Sequence, residues 1–452
     1  MKIKDNRWGD DINPAQMLVL GFLSVILIGT ILLMFPFASR EGQVTSFIDA
    51  LFTATSAVCV TGLVVVDTGT YWSEAGQLII LLLIQIGGLG FMTMTTAFAF
   101  VAGKRITLKS RIVMQEALNQ FSISGVVRLT RNMIIATFVI ELIGAVFLSI
   151  RYIPIYGFAK GIFFSVFHAV SAFCNAGFDL IGYGRGYTIF VADPIINITT
   201  MLLILMGGIG FFVLMDIVHF RQFKRISFHS KIVLSVTGVL LFLGFLVVFV
   251  LEFSNPETLG HLTVPQKIMA SMFQSITTRT AGFNTLDTSA LQTPTLLIFV
   301  ILMFIGGSPG STAGGVKTTT FGIVIFNVIA VIKGTKETEI FNRRISREIS
   351  NKALALVTLG MCVVLLITFL MLITDGELGF IEILFETVSA LGTVGLSKGI
   401  TSDLSNVGRV IITMAMFFGR LGPLTIVIAL TRRKKRNGNC GIRLPEGKVL
   451  IG

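Results

Sequence analysis

The chain has 452 residues, 53% of them hydrophobic and only 13% charged. A soluble domain carries about 25% charged residues, so a soluble enzyme or binding module is excluded and a polytopic membrane protein is indicated. The net charge of +12 does not point to nucleic acid, since 26 of the 36 Lys and Arg sit in five clusters, at 1–14, 103–131, 219–231, 332–352 and 431–452. Basic clusters between apolar runs mark the cytoplasmic side of a membrane, and they suit contact with anionic membrane lipid.

Residues 1–15 mix Lys2, Lys4 and Arg7 with Asp5, Asp10 and Asp11, and no short cleavable apolar core precedes the first span. A cytoplasmic N-terminus is expected there, not a secretory signal. A first repeat, 16–103, reads as a span Met17–Ala38, a short helix Phe47–Val58 and a second span Gln77–Ala102. After a cytoplasmic link, 104–131, the second repeat, 132–219, uses Asn132–Ile150, Ala159–Phe173 and Ile195–Val218 in the same roles. The link 220–231 leads to a third repeat, 232–332, with Ile232–Phe253, Pro265–Thr278 and a broken apolar segment from Pro294 to Ile332. The link 333–352 leads to the fourth, 353–431, with Ala353–Ile373, Phe380–Leu391 and Val407–Leu430, and a basic cytoplasmic segment, 432–452, follows.

The short helices fall below the ~20 residues that a helical span needs, so they read as re-entrant half-helices. Non-helical backbone at membrane depth survives only inside protein or against a watery cavity, so the loops after them must face one another. The expected fold is an all-α polytopic membrane protein: four pseudo-fourfold repeats of span, half-helix, filter loop and span around one central pore. Eight spans then put both termini and all three links in the cytoplasm of a multi-pass plasma-membrane protein.

The repeats are visible in the residues themselves: LFTATSAVCVTGL (51–63), VFHAVSAFCNAGF (166–178), MFQSITTRTAGF (272–283) and LFETVSALGTVGL (384–396). Each runs from a Phe (Phe52, Phe167, Phe273, Phe385) to a Gly (Gly62, Gly177, Gly282, Gly395), with the third copy one residue short. A dehydrated cation needs a ring of backbone carbonyls, and glycine tolerates the positive φ that aims them inward. The candidate filter is therefore Cys59, Val60, Thr61 and Gly62; Cys174, Asn175, Ala176 and Gly177; Arg279, Thr280, Ala281 and Gly282; and Gly392, Thr393, Val394 and Gly395. The negative ends of the half-helix dipoles would favour a cation there. Any one of these glycines alone would read as helix packing.

The second spans carry a further repeat: IGGLGF (86–91), MGGIGF (206–211), IGGSPG (305–310) and FGRLGP (418–423). The residue after the first glycine is Gly88, Gly208, Gly307 and then Arg420. A charge at membrane depth suggests function, so Arg420 is expected to project below the filter as a barrier to cations; an ion pair with Glu141 or Asp216 is the alternative. In the third repeat, Gly306, Gly307, Ser308, Pro309, Gly310, Ser311, Thr312, Ala313, Gly314, Gly315 and Lys317 fall within a stretch (306–320) that cannot stay helical. Its spacing misplaces Lys317 for a phosphate-binding loop, and no strand precedes it. A mobile intramembrane gating loop is expected, with a passive kink as the alternative. Arg279 is expected to support its loop by bonding carbonyls, or to repel cations if exposed. Glu141 and Asp216 are open as proton or sodium sites or as helix-packing residues. His168, His219, His229 and His261 form no catalytic constellation, and Cys59, Cys174, Cys362 and Cys440 form neither a disulfide framework nor a metal site.

These features resemble the Ktr/Trk/HKT superfamily of potassium transporters over essentially the whole chain, and bacterial Ktr membrane subunits in particular. In related plant transporters Ser at the first-repeat glycine goes with sodium preference, so glycine at all four positions implies potassium. The resemblance also implies an arginine barrier at Arg420, a gate in the third-repeat loop, sodium dependence, a homodimer with 441–452 at its interface, and a cytoplasmic ring of nucleotide-binding regulatory subunits (KtrA type). The expected function is channel-like potassium uptake with no cofactor and no enzymatic activity. An alternating-access cation symporter, sodium- or proton-coupled, is the rival, though it would normally be built from two inverted halves.

Overall fold

The computed structural model describes residues 14–90, 93, 126–182, 184, 186–219, 226–335, 337–422 and 425. The links 104–125 and 220–225, the N-terminal 1–13 and the basic segment 432–452 lie outside the described residues.

The first unit contains α1 (Pro14–Met34), α2 (Phe47–Cys59) and α3 (Glu74–Leu89). The second contains α4 (Val126–Tyr156), α5 (Phe158–Phe173), α6 (Pro194–Ile209) and α7 (Phe211–His219). The third contains α8 (Phe228–Glu252), α9 (Val264–Thr277), α10 (Thr293–Phe304) and α11 (Thr318–Ile332). A two-stranded antiparallel hairpin, β1 (Thr338–Ile340) with β2 (Arg343–Ile345), follows. The fourth unit contains α12 (Arg347–Thr374), α13 (Phe380–Gly392) and α14 (Asn406–Leu421).

The four opening helices α1, α4, α8 and α12 are long and apolar enough to cross a membrane. Their outward side chains, such as Leu142, Val146, Phe242 and Leu365, are exposed apolar groups that only lipid would cover. Sequence-local signals set the helix starts. Ser46, Ser73, Asp193, Ser227, Ser346 and Ser405 each accept a backbone N–H from the first turn of the helix they open.

The half-helices α2, α5, α9 and α13 are the most buried elements. Phe52, Phe167, Phe273 and Phe385, the first residues of the repeat, are all fully buried. Each second helix packs on the half-helix of the following unit: α3 on α5, α6 on α9, α10 on α13, and α14 back on α2. The order closes on itself. An ion pair between Arg409 on α14 and Asp49 on α2, 2.7 Å, fastens the same closure.

One expectation needs correction. The second-unit span was expected to be continuous over Ile195–Val218, yet it bends by 105° between α6 and α7. Gly210 at the break has φ +98, and Phe211 N–H donates to Gly310 O at 3.0 Å, so the third-unit loop takes the bond a continuous helix would have made. The link 333–352 holds the hairpin, whose Ile340 and Ile345 pack on Ile232, Phe228 and Phe326.

Candidate functional site

Each half-helix ends in the same turn. The residue two before the repeat glycine has a positive φ in every copy: Val60 (57), Asn175 (59), Thr280 (74) and Thr393 (51). The glycines follow at 92, 72, 77 and 88 for Gly62, Gly177, Gly282 and Gly395. Left-handed backbone in β-branched Val60, Thr280 and Thr393 costs about 1–3 kcal/mol each, and such strain persists only where the surroundings over-determine it.

A hydroxyl in the last turns of each half-helix holds this conformation. Ser56 Oγ accepts from Gly62 N–H and Ser389 Oγ from Gly395 N–H, both at 3.1 Å. Ser171 Oγ donates to Phe178 O at 2.7 Å, and Thr277 Oγ1 donates to Phe283 O. Below the hydroxyls, Thr61, Ala176, Ala281 and Val394 donate N–H back to Ser56, Ser171, Thr277 and Ser389 carbonyls at 2.7–3.0 Å. These four hydroxyl residues were missed in the sequence, although the repeat aligns them: six before the glycine in three copies and five in the shortened third.

The four loops meet. A Cβ on Gly62 would lie 2.4 Å from Ala176 O, and one on Gly177 2.8 Å from Ala281 O. One on Gly282 would lie 2.6 Å from Val394 O, and one on Gly395 2.1 Å from Thr61 O. Each glycine thus abuts the carbonyl of the next loop in the order one, two, three, four and back to one. The lining is backbone, and it has no room for side chains.

Above the ring opens a cavity of about 490 Å³ bounded by all four glycines, Asp67, Asp179, Asp287, Ser397, Lys398 and Thr401. Asp67 accepts from Thr70 and from Gly184 N–H, tying units one and two. Burial, opposed by the Ile181 N–H bond at 3.0 Å and reinforced by the Asp67 charge, raises Asp179 from its ordinary value to about 6.

Below the ring the four units diverge. Gly87, Gly207 and Gly419 pack on the last carbonyls of their own half-helices, where a Cβ would lie 2.0, 1.9 and 2.0 Å from Val58 O, Phe173 O and Leu391 O. Gly306 packs instead on Gly314 O of its own loop, at 2.0 Å from a Cβ. The third-unit loop lies against the second unit: Ser308 N–H donates to Gly208 O at 3.0 Å, Thr312 N–H to Gly207 O and Thr312 Oγ1 to Phe173 O, both at 3.2 Å. Ser311 Oγ donates to Ser308 O, and Ser308 and Thr318 share a hydroxyl contact at 3.1 Å.

Three cationic side chains hold carbonyls of this loop. Arg279 Nη2 donates to Gly306 O at 3.1 Å and Lys317 Nζ to Ala313 O at 2.7 Å. Arg420 donates to Thr312 O and to Gly87 O, with Gly88 O at 3.3 Å, so it bridges the loop to the first unit. The alternative ion pair is not what forms. Glu141 accepts from Gln85 Nε2 at 3.1 and 3.3 Å and from Cys174 Sγ at 3.8 Å, while Asp216 accepts from Ser227 and Ser230 at the start of α8. Cys59 and Cys174 are buried free thiols, and among the described residues no His, Cys, Asp and Glu cluster could hold a metal. Cys440 lies outside the described residues.

Comparison with known proteins gives the arrangement a context. The sequence pattern of the TrkH family, described as a cation transport protein, matches residues 10–437. The chain is 47% identical to Ktr system potassium uptake protein B of Bacillus subtilis (strain 168) over 439 residues, 97% of each chain. It is 43% identical to potassium/sodium uptake protein NtpJ of Enterococcus hirae over the full length of both. The crystal structure of the potassium transporter TrkH from Vibrio parahaemolyticus shares the fold, with a TM-score of 0.73 at 17% identity, covering 95% of this chain and 87% of that one.

Proposed function

Because the chain belongs to the TrkH family of cation transport proteins, we propose that it takes up potassium across the plasma membrane through a pore on the axis of its four units. The four units are then pseudo-fourfold repeats, and the loops ending at Gly62, Gly177, Gly282 and Gly395 are the selectivity filter. The observation that carries this reading is the closed ring of backbone, in which each left-handed glycine abuts the carbonyl of the next loop. Carbonyl rings replace the hydration shell of a cation. The relatives' names, one potassium uptake protein and one potassium/sodium uptake protein, support potassium as the main cargo and sodium as a second ion.

The loop 306–320 and Arg420 form the gate in this reading. The guanidinium both latches the loop and places a positive charge beneath the filter, where it opposes cation entry. Opening requires Thr312 O and Gly87 O to exchange their charged donor for other partners, at about 1.5–3 kcal/mol per charged hydrogen bond. The basic clusters put both termini in the cytoplasm. They also form the face for a regulatory ring of nucleotide-binding subunits, in keeping with the "system" in the relative's name. One chain supplies all four loops, so each protomer of the proposed homodimer conducts by itself.

The test is potassium uptake in a transport-deficient cell, with and without sodium. Wild type restores growth at low potassium, and Gly62→Ser shifts uptake toward sodium by about tenfold in relative KM. Failure of wild type to restore uptake refutes the reading.

A further inference from the structure

The residue directly after the repeat Phe differs in every unit: Thr53, His168, Gln274 and Glu386. All four are polar and at most 1% exposed. Two of them brace the chain leaving the glycine ring. In unit two, His168 Nδ1 lies 2.7 Å from Phe164 O and so carries the proton, leaving Nε2 to accept Leu180 N–H at 3.3 Å. Leu180 is three residues past Gly177. In unit four, Glu386 Oε1 accepts the Thr401 hydroxyl, and the Thr401 and Ser397 hydroxyls lie 2.9 Å apart. Ser397 is two residues past Gly395, and both hydroxyl residues line the outer cavity.

The other two do not brace. Thr53 Oγ1 and both amide atoms of Gln274 have no hydrogen-bond partner among the described residues. Units two and four stand opposite each other in the ring order, so the braced loops alternate with the unbraced ones. Glu386 has a further peculiarity: its Oε2 is buried and without a partner among the described residues. The nearby Lys398 is committed to Glu382 at 2.7 Å. A buried carboxyl with half its acceptor capacity unused is costly, and a hydrophobic residue of similar size would pack there more stably. Stability alone does not account for it.

We propose that Glu386 is a positioning residue for ion discrimination: by holding Thr401, and Ser397 through it, from behind, it fixes the segment that carries Gly395, and with it the Val394 carbonyl that abuts Gly282. This deepens the proposed potassium reading and rests on it. Loss of the brace lets the fourth loop adapt to a smaller ion while the latch below is untouched. Selectivity therefore changes and maximal rate does not.

The experiment measures uptake kinetics for potassium and sodium separately, in cells and in vesicles holding the purified full chain. Glu386→Ala is expected to lower the sodium-to-potassium KM ratio about tenfold, with the maximal potassium rate within about twofold of wild type. Thr401→Val should do the same, and the double variant should be no worse than the stronger single one, because both remove one interaction. Glu386→Gln keeps the accepting oxygen and should stay near wild type. Thr53→Ala, which removes no bond, should leave the ratio unchanged. If Glu386→Ala fails to reach the membrane, Thr401→Val decides. A wild-type KM ratio in Thr401→Val or in folded Glu386→Ala overturns the proposal, as does a Glu386→Gln that behaves like Ala. Absence of potassium uptake by wild type would instead refute the underlying transport reading.

Discussion

At the glycine ring four units repeat one backbone: a left-handed residue, an ordinary one, a left-handed glycine, and a hydroxyl behind. Below it, the aligned positions hold Gly88, Gly208, Gly307 and Arg420, and the third-unit second helix opens into a loop. The ring is held by backbone bonds and hydroxyls within each half-helix, whereas the layer beneath adds long cationic side chains that reach carbonyls across units. Backbone-built geometry has few alternative states. Side chains hung on carbonyls can let go. In the proposed reading the upper layer carries recognition and the lower one control.

The largest expected effect comes from adding one methyl group to the upper layer. Gly395→Ala forces a Cβ to within 2.1 Å of Thr61 O at φ +88. Left-handed backbone costs about 1–2 kcal/mol for an L-residue before any clash, so potassium uptake should drop by about a hundredfold with the protein still in the membrane. Near-normal uptake would mean that the ring does not carry the ion. The second effect has the opposite sign. Arg420→Ala releases Thr312 O, Gly87 O and Gly88 O, and removes a positive charge. Potassium flux in vesicles should rise about tenfold, and shortening 311–318 should act in the same direction. An unchanged or lower flux in both would erase the functional distinction between the layers.

The smallest effect belongs to the outer cavity. Burial raises Asp179 to about 6, so it is ionised above that pH and neutral below. A negative charge in the mouth draws cations, so acidification from pH 7.5 to 5 should raise the KM for potassium about twofold. Asp179→Asn should have the higher KM at both pH values and lose the dependence. A wild-type KM that is flat across this range would place the charge outside the ion's path.

The sequence carries much of the upper layer and less of the lower one. The matched Phe-to-Gly offsets foretell loops that must face one another, and the half-helix bounds follow from apolar length. The left-handed φ at Val60, Thr280 and Thr393 runs against the preference of β-branched residues, so composition argues away from it. The break at Gly210 is hidden because single glycines are ordinary in membrane helices. Its cause, the Phe211 to Gly310 bond, joins residues from different units. Arg420 stands out as a charge in an apolar run, yet its partners are backbone carbonyls, which leave no mark in a residue pattern. For the same reason the carboxylates Glu141 and Asp216 drew attention as partners for it, while their own bonds to Gln85 and Ser230 could not be read.

The most direct measurement is unidirectional potassium and sodium flux through the purified chain in sealed vesicles, at a fixed gradient. A pore lined by the glycine ring passes potassium in preference to sodium, at rates far above those of a conformational cycle. Equal passage of both ions, or a turnover limited to that of an alternating-access carrier, would contradict it.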